Sequence, residues 1–132
     1  MNILILYLAT AIVFFVIDAI GLRFLIRPIF ERQIGHLFAD PMRIVPAVVF
    51  YLGYVGGILW FVSLPALRID VPTSALIGGI FLGLLAYGTY EFTNLATLRD
   101  WSMQQVVVDT IWGGLLTGFS AWAGVMAVRA FS

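Results

Sequence analysis

Along this chain the polar residues are confined to short clusters, and between them run four long apolar stretches. Asn2–Leu25, Ile44–Leu64, Ser74–Leu98 and Met103–Val128 each hold enough residues to cross hydrocarbon as a helix, which takes about 20. The pattern predicts an all-α, polytopic membrane protein. Its four transmembrane helices form an antiparallel bundle and a single domain over residues 1–132.

The clusters between the stretches differ in kind. The first, "RPIFERQIGHLFADP", is the only long one. Phe30, Ile34, Leu37 and Phe38 recur there at helical spacing, opposite Glu31, Arg32 and Gln33. This predicts a short amphipathic helix in the membrane interface, bounded by Pro28 and Pro41. The second cluster, "PALRIDVP", is bracketed by prolines and predicts a tight turn region. The third, "RDWS", is so short that the helices on either side must form a hairpin, with Trp101 as an interfacial anchor.

Composition agrees and excludes several functions. Hydrophobic residues make up 62% of the chain and charged residues 11%, where soluble domains carry about a quarter charged. Seven basic and seven acidic side chains cancel, with no basic cluster for nucleic acid. Without cysteine there is no disulfide or thiolate chemistry. The first stretch lacks a basic start and a following cleavage site, so a retained helix is expected rather than a signal peptide. All seven basic residues are arginine. Arg23, Arg27, Arg32, Arg43 and Arg99 flank the first and third connections, and Arg68 and Arg129 lie on the other side. The positive-inside rule then puts those two connections in the cytoplasm and both termini outside.

Three acids change the picture. Asp18, Glu91 and Asp109 lie inside apolar stretches, each about 9–10 Å from the same membrane side at 1.5 Å of rise per residue. Gly83, Tyr87, Glu91 and Asn94 form one stripe of the third helix, with Tyr90 beside it. Asp109 heads a stripe of small residues on the fourth: Gly113, Thr117, Ser120 and Gly124. Tyr7, Ala11 and Asp18 align on the first helix, and Ala47, Tyr51 and Tyr54 on the second, with Tyr51 at the depth of Tyr87. The expected site is a polar pocket in the cytoplasmic third of the bundle, made by Asp18, Tyr51, Tyr87, Tyr90, Glu91, Asn94 and Asp109. Trp112 is counted with it, although tryptophan at such a position more often packs. Three carboxylates in one layer repel one another, so either one or more is protonated or a cation lies between them. The plainer alternative is that the acids are neutral, or paired with Arg23, Arg27 or Arg99, and only set helix register.

Other features carry less. His36 is the only histidine and falls in the interfacial segment, as a surface residue. No metal and no cofactor is expected, and without a nucleophile–base–acid set a lipid-modifying enzyme using the acids as general acid and base is only a minor option beside a non-catalytic role. Gly114 and Gly118 form one GxxxG unit turned away from Asp109. With Ala121 they would offer lipid-facing small residues for docking a larger membrane complex or a second copy.

The segments "AYGTYEFTNLATLRDW" and "VVDTIWG", with "RQIGHL" and "FYLGYVGG" before them, resemble the signature of the bacterial membrane proteins of domain-of-unknown-function family 2177. The resemblance implies a four-helix protein of the bacterial inner membrane and no assigned activity. This chain has Glu91 where the family usually has aspartate, Gly21 where it has tryptophan, and Phe30 where it has tyrosine. The function expected is a buried acidic and tyrosine-lined site that binds a cation, a proton or a polar headgroup, in transport or sensing. Beyond the lipid bilayer itself, the expected partner is a homo-oligomer or a larger membrane complex, to which the chain could be an accessory subunit.

Overall fold

The computed structural model describes residues 2–131; Met1 and Ser132, the two ends of the predicted domain, lie outside them. Four helical spans follow one another, Ile3–Leu37, Ile44–Ile69, Pro72–Thr97 and Met103–Phe131, each apolar and long enough to cross a bilayer. The described residues contain no strand. The all-α, four-span architecture predicted from the sequence is the one the chain adopts.

Asn2 starts the first span. Its side chain accepts a hydrogen bond from the Ile5 N–H at 3.1 Å, satisfying one of the free donors of the first turn. Helix α1, Ile3–Gly21, widens into a π turn over Leu22–Ile26, then continues as α2, Arg27–Ile34, and a 3-10 turn, Gly35–Leu37. The amphipathic segment is helical, as its periodicity predicts, and it joins the first span without a break at Pro28. The π turn explains this continuity. A proline lacks an N–H, and its ring strikes the carbonyl four residues back. Here Arg27, just before the proline, bonds to the Leu22 carbonyl five residues back. The wider turn makes room for the ring.

The second span repeats the device. Helix α3, Ile44–Ile58, passes through a π turn at Leu59–Ser63 into α4, Leu64–Ile69. Leu64 bonds to the Leu59 carbonyl just ahead of Pro65. The turn region expected at "PALRIDVP" is therefore mostly helix, because Pro65 does not end it. Only Asp70 and Val71 separate α4 from α5, Pro72–Thr97. Asp70 takes a left-handed backbone (φ 56°, ψ 44°), which aspartate tolerates better than most residues. The Val71 N–H bonds back to the Ala66 carbonyl at 3.1 Å. Pro72 stands in the first turn of α5, where its missing N–H has no partner to lose.

Helix α6, Met103–Phe131, opens on a reciprocal cap. The Ser102 N–H donates to Gln105 Oε1 at 2.8 Å, and the Gln105 N–H donates to Ser102 Oγ at 3.2 Å. This helix is the centre of the molecule: 56% of its most apolar stretch is buried against protein, twice the 28% of each other span. On one side it meets α5 through glycines. A Cβ on Gly79 would come within 2.6 Å of the Gly118 Cα, and one on Gly83 would strike the Gly113 carbonyl. Small residues let two backbones approach this closely in lipid. On another side it meets α1, where Gly124 faces the Thr10 hydroxyl and Gly21 faces the Trp112 indole.

This packing corrects the docking surface expected at Gly114, Gly118 and Ala121. All three are buried, and the two glycines lie against Ile80, with Leu84 over Gly114 and the Leu76 carbonyl at Gly118. A helix flanked on two sides buries two faces, so pointing away from Asp109 is not pointing toward lipid. The second span is held more loosely. Val55, Ile58, Leu59, Val62 and Ala66 are buried, whereas residues 41–50 are exposed throughout.

Candidate functional site

Glu91 lies on the buried stripe of α5, with 0% of its surface exposed. The Trp101 indole N–H donates to Glu91 Oε1 at 2.9 Å. Glu91 Oε2 meets no N–H or O–H donor. Instead the Asp109 carboxyl, on the facing side of α6, stands within hydrogen-bonding reach of Glu91. Two carboxyls can share a hydrogen bond only when one of them carries a proton. The antiparallel register set by the glycine seam brings them together: it pairs Gly83 with Gly113 and Gly114, and a Cβ on Gly88 would lie 3.6 Å from the Thr110 methyl.

Asp109 is also the link to the first span. Asp18, 4% exposed on α1, has both Asp109 and the Trp112 indole as neighbours. Trp112 Nε1 is buried without a well-formed hydrogen bond. Its ring occupies the space that a side chain at position 21 would fill. Gly21 and Trp112 are therefore complementary, and the chain has no room for a tryptophan at position 21. The three acids form a row with Asp109 in the middle rather than a compact triad. Among the described residues no three of His, Cys, Asp or Glu come close enough to hold a metal ion together. The ion pairs among those residues are Arg27–Glu31, His36–Asp100 and Arg129–Asp70, so no arginine neutralises the row.

The tyrosines lie at one end of the row. Tyr51 neighbours Asp18, Asp109 and Tyr87. The Tyr87 hydroxyl is buried without a well-formed hydrogen bond, and its ring meets that of Tyr54 at 6.3 Å. Tyr54, left out of the expected site, hydrogen-bonds Thr117 Oγ1 at 2.8 Å. Tyr90 and Asn94 stand at the opposite margin. Tyr90 is 51% exposed, neighbours Asn94, and turns its ring edge to Trp101 at 5.6 Å. Ala47, aligned with Tyr51 in the sequence, is exposed and takes no part.

Two residues at the site were not anticipated. Trp101, expected as an interfacial anchor, is 8% exposed. It packs with Ile34, Val106, Phe30 and Leu95, with the Phe30 ring edge-on at 5.4 Å. A tryptophan at a membrane end ordinarily faces the headgroups, but the turn after Leu98 aims this indole inward at Glu91. Gln105 is fully buried, and its Nε2 has no hydrogen-bond partner. Its signal was present in the sequence, since Ser102 and Gln105 have the spacing of a reciprocal cap. His36 is exposed, as expected, and bonds Asp100 Oδ2 at 3.1 Å, tying the first connection to the third.

Comparison with known proteins places the chain. Residues 3–126 match the family described as predicted membrane protein DUF2177, and the chain belongs to that family. No curated protein and no solved structure matches it.

Proposed function

We propose that this member of a membrane protein family takes up and releases a proton at the Glu91–Asp109 pair, in transport or sensing. The observation that carries the reading is a fully buried Glu91 held by one indole N–H, with a second carboxyl as its other neighbour. Hydrocarbon cannot solvate two adjacent anions, so a proton between them is the cheapest way to keep both buried. The row-like spacing of the acids favours a proton over a metal ion, which needs several ligands around one point. Asp18, Tyr51, Tyr87 and Trp112 supply the polar surroundings on one side, and Tyr90 and Asn94 close the site toward the surface. In this reading the protein lies in a bacterial cytoplasmic membrane, with the acid layer near the cytoplasmic side and both termini outside. Single cysteines near His36 and near Arg68 then react with impermeant reagents from opposite sides, and labelling from one side overturns the orientation.

The test of the site is an infrared titration of the carboxyl C=O band in lipid nanodiscs. Interacting acids titrate as a pair, so Glu91→Gln and Asp109→Asn should each alter the band left by the other. Mutant spectra that simply add up to that of the wild type show two independent acids, and the reading fails.

A further inference from the structure

Beyond the acid layer, α6 continues the same stripe through Gly113, Thr117, Ser120 and Gly124, all buried. Several hydroxyls in this protein satisfy themselves on their own helix: Thr10 donates to the Leu6 carbonyl, and Thr89 to that of Leu85. Ser120 and Ser63 do neither. Both are 0% exposed, and their Oγ atoms have no hydrogen-bond partner. A buried hydroxyl left in that state is costly unless a mobile donor or acceptor reaches it.

Resting on the proton-binding reading above, we propose that these hydroxyls extend the acid row into a proton-conducting file leading toward the opposite half of the bilayer. The early links are these: Glu91 and Asp109 stand within hydrogen-bonding reach, Asp18 lies close enough to Asp109 to feel its charge, and Tyr51 is close enough to feel Asp18. Tyr51 then neighbours Tyr87, whose ring meets Tyr54, and the Tyr54 hydroxyl bonds Thr117. Ser120 follows Thr117 one turn on, and Thr10 lies against Gly124 one turn further. From Asp109 to Gly124 the file runs roughly 22 Å along α6 at 1.5 Å per residue, against a hydrocarbon core of about 30 Å. A proton that arrives on one hydroxyl oxygen releases that group's own O–H proton to the next oxygen. Each group therefore ends with the charge it began with, and no other reactant is consumed. Water, which both donates and accepts, is the carrier that fits the steps where no hydroxyl contact bridges the file, from Tyr87 to Tyr54 and at Ser120.

The test uses the whole protein in liposomes that hold a pH-sensitive dye, with a potassium diffusion potential set by valinomycin. The wild type should acidify or alkalinise the lumen according to the sign of the potential. Tyr54→Phe and Thr117→Val should fall to the rate of protein-free vesicles while keeping the wild-type infrared titration of Glu91 and Asp109. Flux in either variant equal to that of the wild type overturns the file. An intact titration with no wild-type flux also overturns it, leaving the proton site standing. Wild-type flux in Glu91→Gln sinks the proton-binding reading itself. Thr117→Ser, which keeps the hydroxyl, should retain flux and separates loss of the relay from loss of fold.

Discussion

The seam between α5 and α6 and the first half of the second span are both apolar, yet they are held in opposite ways. At the seam five glycines, Gly79, Gly83, Gly113, Gly114 and Gly118, bring two backbones together. The stretch from Ile44 to Phe50 is richer in large apolar side chains, and every residue of it is exposed. In lipid an apolar side chain gains little by exchanging a lipid neighbour for a protein one. Close backbone approach and polar bonds must do the holding. Residues 44–50 offer neither. The second span is secured only from Tyr51 onward, where the Tyr7 hydroxyl donates to the Leu52 carbonyl at 2.7 Å and Tyr54 meets Thr117. Size and polarity, not hydrophobicity, decide which surfaces of this protein meet protein.

The strongest way to break that contrast is Gly83→Leu. Its side chain would strike backbone that cannot give, and the expected loss is about 3 kcal/mol, the upper end for overpacking. Reversible denaturant unfolding in detergent measures it. Next comes Trp101→Phe, which keeps the packing around Phe30 and Ile34 but leaves Glu91 Oε1 without its donor. That should cost about 2 kcal/mol in the same assay, within the range for a buried polar group left unpaired. Tyr7→Phe removes one bond between the first and second spans, and a loss of about 1 kcal/mol is expected. Val49→Ala, on the exposed half of the second span, should change stability by less than about 0.5 kcal/mol. If Val49→Ala proved as costly as Gly83→Leu, the two surfaces would not differ as described.

Much of this arrangement was legible in the sequence because a charge in hydrocarbon stands out. Asp18, Glu91 and Asp109 were visible as acids at matched depth, and the four spans were visible as apolar runs. Gly114 and Gly118 were harder. Glycine looks the same whether it faces lipid or a second backbone, and only the position of α6 between two neighbours shows that both its faces are buried. Trp101 was misjudged because its direction depends on a five-residue turn and not on its depth. Pro28 and Pro65 looked like stops. The π turns that carry the helices past them leave one faint mark in the pattern, a missing beat in the spacing of buried positions.

That missing beat has a geometric consequence. Along α1 the buried positions recur three or four apart and end with Phe14, Asp18 and Gly21. The next is Ile26, five further on, and then Ile29 and Ile34. On an ordinary wheel of about 100° per residue, Ile34 falls about 160° from Asp18; with one residue absorbed the angle closes to about 60°. Asp18 can then look toward Trp112 while Ile34, near the far end of the same span, packs on Trp101 and Val106. The first span behaves as a shaft keyed at a single point. The side that carries the acid is aligned with the side that clasps the indole donor of Glu91 further along the span.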